Sequence, residues 1–498
     1  MLLRTRFGCA CYYTLYMSRK AENMDDDLQR EINAYIDGHW EEVVADIEAL
    51  VEVASTEDLD ASAPNAPFGP GPREALDRAL NMAKRCGLDV HDCEGYVGYA
   101  DFPGKSETQI GIIGHVDVVP AGPGWHYEPY AVTREGGYLL GRGVADDKGP
   151  IVCALHAVKF WVDRGNPLPY TVRVLFGANE ETNMKDVAYY REHFEDPAFL
   201  FTPDAEFPVC YGEAGICSGT LTSAPIEGGV LENIEGGVAV NAVPGVARAV
   251  LRADGPGAAA GVSMGHFPLA EGIVVEESDE AVVVRAFGKP AHASTPELGE
   301  NAIDILAAYL LECDVLSYGE CTFLELVRKV TSRYDGSCLG VQASDEHFGD
   351  LTAVGGTISM DETRIRLTID FRYPTSTTAE RIESRVHEVA TGADAFFVME
   401  HDKEPFLMPP DSPAVQAMLS AYNGATGEDA EPFTMKGGTY ARVFTTGVSF
   451  GPEKPWESKP DWVGNMHGPD EGIREDLLKQ ALSIYIRTIG NLMELDLG

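Results

Sequence analysis

Two histidines and four carboxylates in this sequence have the chemistry to bind divalent metal ions and to move protons. They are His115, Asp146, Glu180, Glu181, Asp204 and His467. Two metals that share one carboxylate can activate water, and imidazole and carboxylate groups suit zinc, cobalt or manganese. A glutamate that stays off the metals can accept a proton from that water. The set predicts metal-assisted hydrolysis of an amide bond.

The first candidates lie at the end of an apolar strand and within a glycine-rich loop. His115 and Asp117 are two residues apart at the end of the strand predicted for 110–119, so the Asp117 carboxylate can accept the imidazole N–H and fix its tautomer. Asp146 lies in the loop 141–150, which leads into a helix. A histidine at a strand end is often a surface residue, and a carboxylate before a helix is often an N-cap. Neither position is decisive alone.

The other candidates also follow apolar segments or precede a helix. Glu180 and Glu181 come directly after a predicted strand, and Asp204 follows a short one. Parallel sheets bind ligands at the carboxyl ends of their strands, so one glutamate could bind metal while the other acts as a base. A glutamate pair can also begin a solvated helix. His467 is a loop histidine unless the C-terminal segment returns to the same sheet.

The elements that must position these side chains alternate between strand and helix from 109 to 201. This alternation predicts an α/β domain with a mostly parallel central sheet and helices on both faces. From about Glu213 strands with glycine-rich turns follow, including one predicted at 238–240, and this texture indicates an inserted α+β lid domain. The predicted boundaries are 24–212 for the first catalytic piece, 213–403 for the lid and 404–498 for the second catalytic piece.

Residues 1–23 are predicted to be an appendage outside the fold. Arg4 and Arg6 precede an uncharged stretch, 7–17, that superficially resembles a secretory signal. The stretch is rich in tyrosine and lacks an A-x-A cleavage site. Apolar residues at steps of three and four then predict an amphipathic helix that begins near Met24.

Composition excludes several function classes. The chain of 498 residues has 79 Asp+Glu against 38 Lys+Arg and a formal net charge of -41, so its field repels nucleic acid and anionic membranes. The sequence contains no apolar run of membrane-spanning length. Its ten cysteines include no CxxC pair, which argues against a zinc ribbon and favours reduced thiols in a cytoplasmic setting.

Taken in order, several motifs resemble one known family. They are GHVDVVP, GRGVADDKGP, NEET, PDAE, GKPAHASTPE, GGTYAR and NMHGPDE. The set is similar to the di-zinc family of aminoacylase, carboxypeptidase G, succinyl-diaminopimelate desuccinylase and the carnosinases, with the strongest likeness to bacterial dipeptidases of the dipeptidase V type. The resemblance implies a zinc-exopeptidase-like catalytic domain with a lid, and a metallopeptidase that cleaves short unblocked peptides.

The resemblance implies a role for each of the first six side chains. It implies two zinc sites that share one carboxylate, the first formed by His115, Asp146 and Asp204 and the second by Asp146, Glu181 and His467. Mn²⁺ or Co²⁺ would suit the same ligands. Glu180 would take a proton from zinc-bound water, and the resulting hydroxide would attack the scissile carbonyl. The family also has a cis peptide bond at the position of Asp146 and Asp147.

The resemblance further implies substrate contacts from the lid. His292 would donate to the oxyanion, Asn241 would bind the substrate, and Arg372 would bind its C-terminal carboxylate through a bidentate fork. The predicted lid is as long as in the dipeptidase V type, in which the extra half mimics a partner subunit. We therefore expect a monomer that supplies His292 to its own site.

A loop formed by Gly437, Gly438 and Thr439 matches the family's carboxylate-binding segment. Close relatives have a third glycine where this sequence has Lys436, so substrate preference stays open. One alternative function is an N-acyl amino acid deacylase of the desuccinylase or deacetylase type. Another, from a different class, is a catalytically inactive binding or scaffold protein, although none of the six side chains is lost.

Overall fold

The structure of the chain is a computed structural model that describes residues 6–253 and 262–497, with side chains from Asp27 onward. Its helices are α1 (Arg6–Val51), α2 (Pro70–Arg85), α3 (Lys148–Asp163), α4 (Lys185–His193), α5 (Ala302–Glu312), α6 (Tyr318–Thr331), α7 (Ala379–Thr391), α8 (Pro413–Thr426) and α9 (Glu475–Leu492). None of these helices combines the length and the apolar character that a membrane-spanning segment requires.

The strands are short and are numbered in chain order. The first are β1 (Asp89–Cys93), β2 (Val97–Phe102), β3 (Ser106–His115), β4 (Thr133–Glu135), β5 (Tyr138–Leu140), β6 (Tyr170–Gly177), β7 (Phe199–Thr202), β8 (Ala205–Glu206) and β9 (Cys210–Glu213). The next are β10 (Gly215–Ser223), β11 (Leu231–Gly236), β12 (Ala242–Val243), β13 (Val246–Arg252), β14 (Ile273–Glu277), β15 (Ala281–Phe287), β16 (Ala291–His292), β17 (Ser344–Asp345), β18 (Gly349–Asp350), β19 (Thr352–Asp361), β20 (Arg364–Tyr373), β21 (Ala395–Lys403) and β22 (Phe406–Leu407). The last are β23 (Phe433–Met435), β24 (Gly447–Ser449), β25 (Pro452–Glu453) and β26 (Gly472–Arg474).

Two units are formed by the chain, and both are discontinuous. The first consists of Met1–Tyr211, Met408–Phe433 and Thr439–Gly498, and the second consists of Gly212–Leu407 and Thr434–Gly438. Residues 1–5, which belong to the predicted N-terminal appendage, lie outside the described residues.

The main sheet of the first unit is parallel at its centre and antiparallel at its edges. Its strand order is β1-β2-β6-β3-β7-β24-β9. The pairs β3–β6, β3–β7 and β7–β24 are parallel, whereas β1–β2 and β2–β6 are antiparallel. The alternation of strands and helices therefore predicted the class of the sheet correctly.

Both faces of this sheet are covered, and the alternation of side chains along β3 shows it. Ile112 packs into a core shared with α1, α3 and α9, whereas Ile113 packs into a second core with α4. Successive residues of a strand point to opposite faces, so two adjacent apolar residues require two cores. The predicted α/β fold with helices on both faces is confirmed.

The second unit is an antiparallel sheet with helices against it. The strand order is β14-β15-β13-β11-β19-β20-β10-β21. In β15 alternate residues are buried, and those residues share a core with α5, α6 and α7. A sheet with one buried face and one exposed face gives this pattern, and the α+β character predicted for the lid is confirmed.

One predicted helix boundary and one predicted strand are wrong. Helix α1 begins at Arg6 instead of near Met24. The sequence allows this extension because residues 6–23 contain no proline and only Gly8 is a strong helix breaker. The strand predicted at 238–240 is instead a turn, because Gly237 has a φ of 76° and ends β11 there. Val238 is 99% exposed and packs into no core.

Candidate metal centre

The parallel strands of the first unit bring the candidate side chains to one edge of the sheet. His115 is the last residue of β3 and is paired in register with Gly177, the last residue of β6. Glu180 and Glu181 follow β6 directly, and Asp204 follows β7. Because the carboxyl ends of parallel strands share an edge, these residues are placed together by the topology.

Asp146 lies between two imidazoles and contacts each with a different oxygen. Its Oδ1 is 2.9 Å from His115 Nε2, and its Oδ2 is 3.0 Å from His467 Nε2. His467 Nε2 also lies 3.1 Å from Glu181 Oε2, and His115 Nε2 lies 3.6 Å from Asp204 Oδ2. This is the arrangement expected of a carboxylate that bridges two metal positions.

Glu180 belongs to the same cluster. Its carboxylate oxygen lies with one donor atom each of His115 and Asp204 in a group whose atoms are all within 4.8 Å of one another. Ligand atoms of His115, Asp146 and Glu181 form a second group of this size. The structure therefore brings all six side chains together, although proximity alone does not separate the base from the ligands.

Asp117 makes a different contact from the one that its spacing predicted. The close partner of His115 Nδ1 is the main-chain oxygen of Asp117 at 3.0 Å, whereas the carboxylate Oδ1 is 3.6 Å away, too long for a hydrogen bond. The carboxylate instead accepts the backbone N–H groups of Glu180 and Glu181, at 3.2 and 3.1 Å. Asp117 thus orients the histidine with its backbone and the glutamate pair with its side chain.

Asp147 is a buried carboxylate that binds the backbone of His115. The peptide bond between Asp146 and Asp147 is cis, as the resemblance implies. Asp147 is completely buried, and its Oδ2 accepts the backbone N–H of His115 at 3.1 Å. Burial, followed by repulsion from Asp204, raises the pKa of Asp147 well above its usual range.

The donor set fits divalent cations. Burial and the neighbouring charge of Asp146 raise the pKa of Asp204 to about 8, and burial with repulsion from Asp204 raises the pKa of Glu180 well above its usual range. So many buried carboxylates repel one another, and divalent cations would relieve that repulsion. The cluster of imidazole and carboxylate groups contains no thiolate, which suits zinc, manganese or cobalt.

His292 and Asn241 lie side by side within the second unit. Strands β12 and β16 pair so that Ala242 is opposite His292, and the N–H of Ala293 donates to Asn241 O at 2.9 Å. Both side chains are exposed, and His292 Nδ1 lies 2.7 Å from Ser294 Oγ. Two of the predicted substrate-contacting residues of the lid thus lie together, His292 in a two-stranded ribbon and Asn241 directly before it.

Arg372 lies near the end of β20, and all three nitrogens of its guanidinium group donate hydrogen bonds. Its Nε and Nη2 donate to the two oxygens of Asp370, and its Nη1 donates to Lys436 O at 3.0 Å. Gly437 and Gly438 are half-buried and belong to the second unit.

Thr439 begins the last segment of the first unit. Its Oγ1 accepts the N–H of Ala441 at 3.1 Å, which caps the short helix Tyr440–Val443, and lies 2.9 Å from Ser449 Oγ. A structural role as a helix cap therefore accompanies the role in substrate binding that the resemblance implies.

Two buried carboxylates that contact candidate residues or their loops were not singled out from the sequence. Glu471 lies in NMHGPDE and contacts the loop of Asp146, and Asp370 lies two residues before Arg372. Each lies within a few residues of a candidate, Glu471 near His467 and Asp370 near Arg372. Their position near those candidates was the available signal.

A cluster of imidazole and carboxylate groups at the carboxyl edge of a mostly parallel sheet is typical of metal-dependent hydrolases. Residues 111–491 match the model of peptidase family M20/M25/M40. The chain belongs to this family, and the family predicted from the motifs is confirmed.

Curated relatives span nearly the whole chain. The Beta-Ala-Xaa dipeptidase of Lactobacillus delbrueckii subsp. lactis is 32% identical over 462 residues, which cover 90% of this chain and 96% of the relative. The putative dipeptidase YtjP of Bacillus subtilis is 31% identical over 470 residues, with 91% and 97% covered.

Solved structures share the fold at low sequence identity. Human carnosine dipeptidase 1 matches with a TM-score of 0.56 and 16% identity, over 94% of this chain and 100% of that one. The dipeptidase Dug1p of Saccharomyces cerevisiae matches with a TM-score of 0.57 and 14% identity, over 94% and 99%.

Proposed function

We propose that this protein is a metal-dependent dipeptidase that holds two zinc ions and hydrolyses the peptide bond of short unblocked peptides. The single observation that carries the proposal is the Asp146 carboxylate, which offers one oxygen beside His115 and the other beside His467. Relatives described as dipeptidases match over nearly their full length, and this supports the choice of substrate.

The proposed ligands divide into two sets that share Asp146. The first set is His115, Asp146 and Asp204, and the second is Asp146, Glu181 and His467. Bound metals would polarise the scissile carbonyl and lower the pKa of a water molecule. Mn²⁺ or Co²⁺ would fit the same oxygen and nitrogen donors.

Glu180 is the proposed general base. It would accept a proton from the attacking water and return that proton to the leaving amine. Burial and repulsion from Asp204 raise its pKa, and a raised pKa is typical of carboxyl groups that exchange protons in active sites. The Asp117 carboxylate binds the backbone N–H of Glu180 and so fixes where this side chain begins.

Residues of the second unit complete the proposed chemistry. His292 would donate to the oxyanion, and Asn241 would bind the substrate beside it. Arg372, with backbone N–H groups of the loop 437–439, would bind the C-terminal carboxylate of the peptide. These roles are carried over from the family resemblance.

Within this proposal the protein is a monomer that supplies His292 to its own site, because the insertion is long enough to replace a partner subunit. Sedimentation should give a single-chain mass. A mixture of His292→Ala and Glu180→Ala proteins should stay inactive, whereas a stable dimer with restored activity in the mixture would contradict this.

A cytoplasmic setting belongs to the same proposal. Among the described residues no disulfide is formed, and most of the cysteines are buried. Reduced thiols are typical of the cytoplasm. Fractionation of cells that produce the protein would check this.

The deciding experiment combines metal depletion with a substrate panel. Protein dialysed against chelator should lose hydrolysis of dipeptides and regain it when zinc, manganese or cobalt is restored. N-acetyl and N-succinyl amino acids should be poor substrates in the same assay. Cleavage of only the acylated compounds would support the deacylase alternative, and activity that survives metal depletion would reject the metal mechanism.

A further inference from the structure

Arg142 and Glu471 form an ion pair deep within the first unit. Both side chains are only 1% exposed, and Arg142 Nη1 donates to Glu471 Oε2. A buried pair of this kind is costly to desolvate and is weak evidence for stability alone. Its other contacts therefore indicate what it does.

The second oxygen of Glu471 holds the loop that carries Asp146. Glu471 Oε1 accepts the backbone N–H groups of Gly143, Ala145 and Asp146, at 3.0, 3.1 and 3.3 Å. Three donors on one carboxylate oxygen fix the path of this loop. The position of the Asp146 carboxylate thus depends on a residue more than 300 positions away in the chain.

The guanidinium of Arg142 holds the loop that carries His467. Arg142 Nη2 lies 3.2 Å from the main-chain oxygen of His467, and it also approaches Pro120 O and Ala121 O at 3.3 and 3.4 Å. His467 has a φ of 64°, in a left-handed region that residues other than glycine adopt infrequently, so contacts with its backbone support this conformation. Arg142 supplies part of that support.

Asp470 anchors the same loop on its other side. Its Oδ1 accepts the backbone N–H groups of His126 and Tyr127, at 2.7 and 3.2 Å. Asp470 also has a positive φ, 55°. The loop from His467 to Glu471 is therefore held at several points. The Arg142–Glu471 pair and the bond from Gly141 N to Glu471 O both join it to the Asp146 loop.

We propose that the Arg142–Glu471 pair positions His467 against Asp146 and thereby sets the metal affinity of the site formed by Asp146, Glu181 and His467. This inference rests on the proposed function, because it requires that these side chains bind metal. Neither Arg142 nor Glu471 is itself a ligand. The other site shares Asp146 but draws its remaining ligands, His115 and Asp204, from the sheet edge, so it depends less on this pair.

The test measures the metal content of variants in which one member of the pair is replaced. Arg142→Gln should bind one metal per chain where the unaltered protein binds two, with the affinity of the weaker site reduced by about 10- to 100-fold. Metal content after dialysis would be measured by elemental analysis, and affinity by competition with a chromophoric chelator. Glu471→Gln keeps an oxygen that can accept the N–H groups of the Asp146 loop but loses the charged bond to Arg142, so it should show the same selective loss.

Arg173→Gln is the matched control. Arg173 also forms a largely buried ion pair in the first unit, with Asp101 at 2.7 Å, and it stacks on Tyr99. Its substitution should lower stability but leave both metals bound. If Arg142→Gln does not fold, Arg142→Lys keeps the charge, loses the fork, and should still weaken one site selectively.

The outcomes separate this inference from the proposed function. An unaltered protein that binds no metal would reject the proposed function. An unaltered protein that binds two metals and cleaves dipeptides, with folded Arg142 variants that retain both metals at full affinity, would overturn only the positioning role. Equal loss of both metals in the Arg142 variants, or the same loss in Arg173→Gln, would also overturn it.

Discussion

Asp370 binds Arg372 with both of its carboxylate oxygens, and the two side chains are buried together. Arg372 Nε donates to Oδ1 at 2.7 Å and Nη2 donates to Oδ2 at 3.0 Å. With the bond from Nη1 to Lys436 O, three of the five guanidinium N–H groups are engaged within the second unit. The plane of the guanidinium is therefore fixed by contacts within the second unit.

Asp370→Asn should weaken binding of peptides that have a free C-terminal carboxylate. Loss of one charged hydrogen bond loosens the orientation of Arg372, so KM should rise by about 10-fold while kcat changes little. The corresponding dipeptide amides lack the carboxylate and should show no such rise. Steady-state kinetics on matched pairs of acids and amides would measure the difference.

Arg364→Lys is the control for this prediction. Arg364 begins the same strand, β20, and donates to Ser223 O at 2.7 Å, away from Asp370. It should leave KM for both kinds of peptide unchanged. An equal rise in KM for acids and amides in Asp370→Asn would contradict a role in carboxylate binding.

Glu180→Gln and Glu181→Gln should separate the base from the ligand. Glu180→Gln should retain two metals but lose about 10²- to 10⁴-fold in kcat, because it removes proton transfer. Glu181→Gln should lose metal as well as activity. Metal analysis of both variants beside kinetics would distinguish these results, and the reverse pattern would make Glu180 the ligand.

Gly114→Ala should disturb the metal centre through Asp147. An added Cβ would lie 2.1 Å from Asp147 Oδ2 and 2.8 Å from Ile151 Cβ, both in buried surroundings. Overpacking of this kind costs about 1 to 3 kcal/mol, and displacement of Asp147 should also weaken metal binding. Urea unfolding and metal content would be measured on the same preparations.

Gly38→Ala is the paired control for that substitution. Gly38 lies within α1, and a Cβ there would meet nothing within 4 Å. Alanine in a helix interior is favoured over glycine, so the free energy of unfolding should rise by up to about 1 kcal/mol. A comparable loss of stability in both variants would show that the contact with Asp147 is not the cause.

Asp186 should make stability depend on pH. Burial, together with the charge of Asp117, raises its pKa to about 6, although Ala178 N, Asn179 N and the Tyr440 hydroxyl donate to it. Because the folded pKa lies above the unfolded one, its stabilising contribution is complete below about pH 4 and is lost as pH rises through about 6. The shift corresponds to at most about 3 kcal/mol.

Asp186→Asn should lack this dependence and should be less stable throughout, because an amide cannot accept all of these hydrogen bonds. The stability of the unaltered protein relative to the variant should therefore be greater at pH 4 than at pH 7. Denaturant unfolding of metal-depleted samples would measure it without interference from metal release. Identical pH profiles for the two proteins would refute the assignment to Asp186.

The metal centre could be predicted because most of its residues follow strands of one parallel sheet. His115 ends β3, whereas Glu181 and Asp204 follow β6 and β7, and the parallel pairing of these strands brings them together. His467 could be placed only by family resemblance, since nothing local in the sequence ties 467 to 146. The contact of the Asp117 carboxylate with two backbone N–H groups could be seen only in the structure. The spacing of His115 and Asp117 predicts that both side chains lie on the same side of the strand, but it does not predict which group the carboxylate binds.

Side-chain hydrogen bonds account for much of what the sequence did not predict. Glu471 acts on a loop far earlier in the chain, and Asp370 is visible as a partner only once Arg372 is seen to fold back onto it. The strand expected at 238–240 failed for a local reason, the positive φ of Gly237. Hydrophobic pattern alone does not register such a turn.

The short segment Thr434–Gly438 belongs to the second unit although most of that unit ends at residue 407. Ala214 N donates to Met435 O, Lys436 Nζ donates to Asp350 O, and Arg372 donates to Lys436 O. The second unit is therefore not formed by one continuous segment of the chain. A chimaera that exchanges only Gly212–Leu407 between relatives would separate the larger part of the second unit from its native partner segment, so an exchange that keeps the unit whole has to include 434–438.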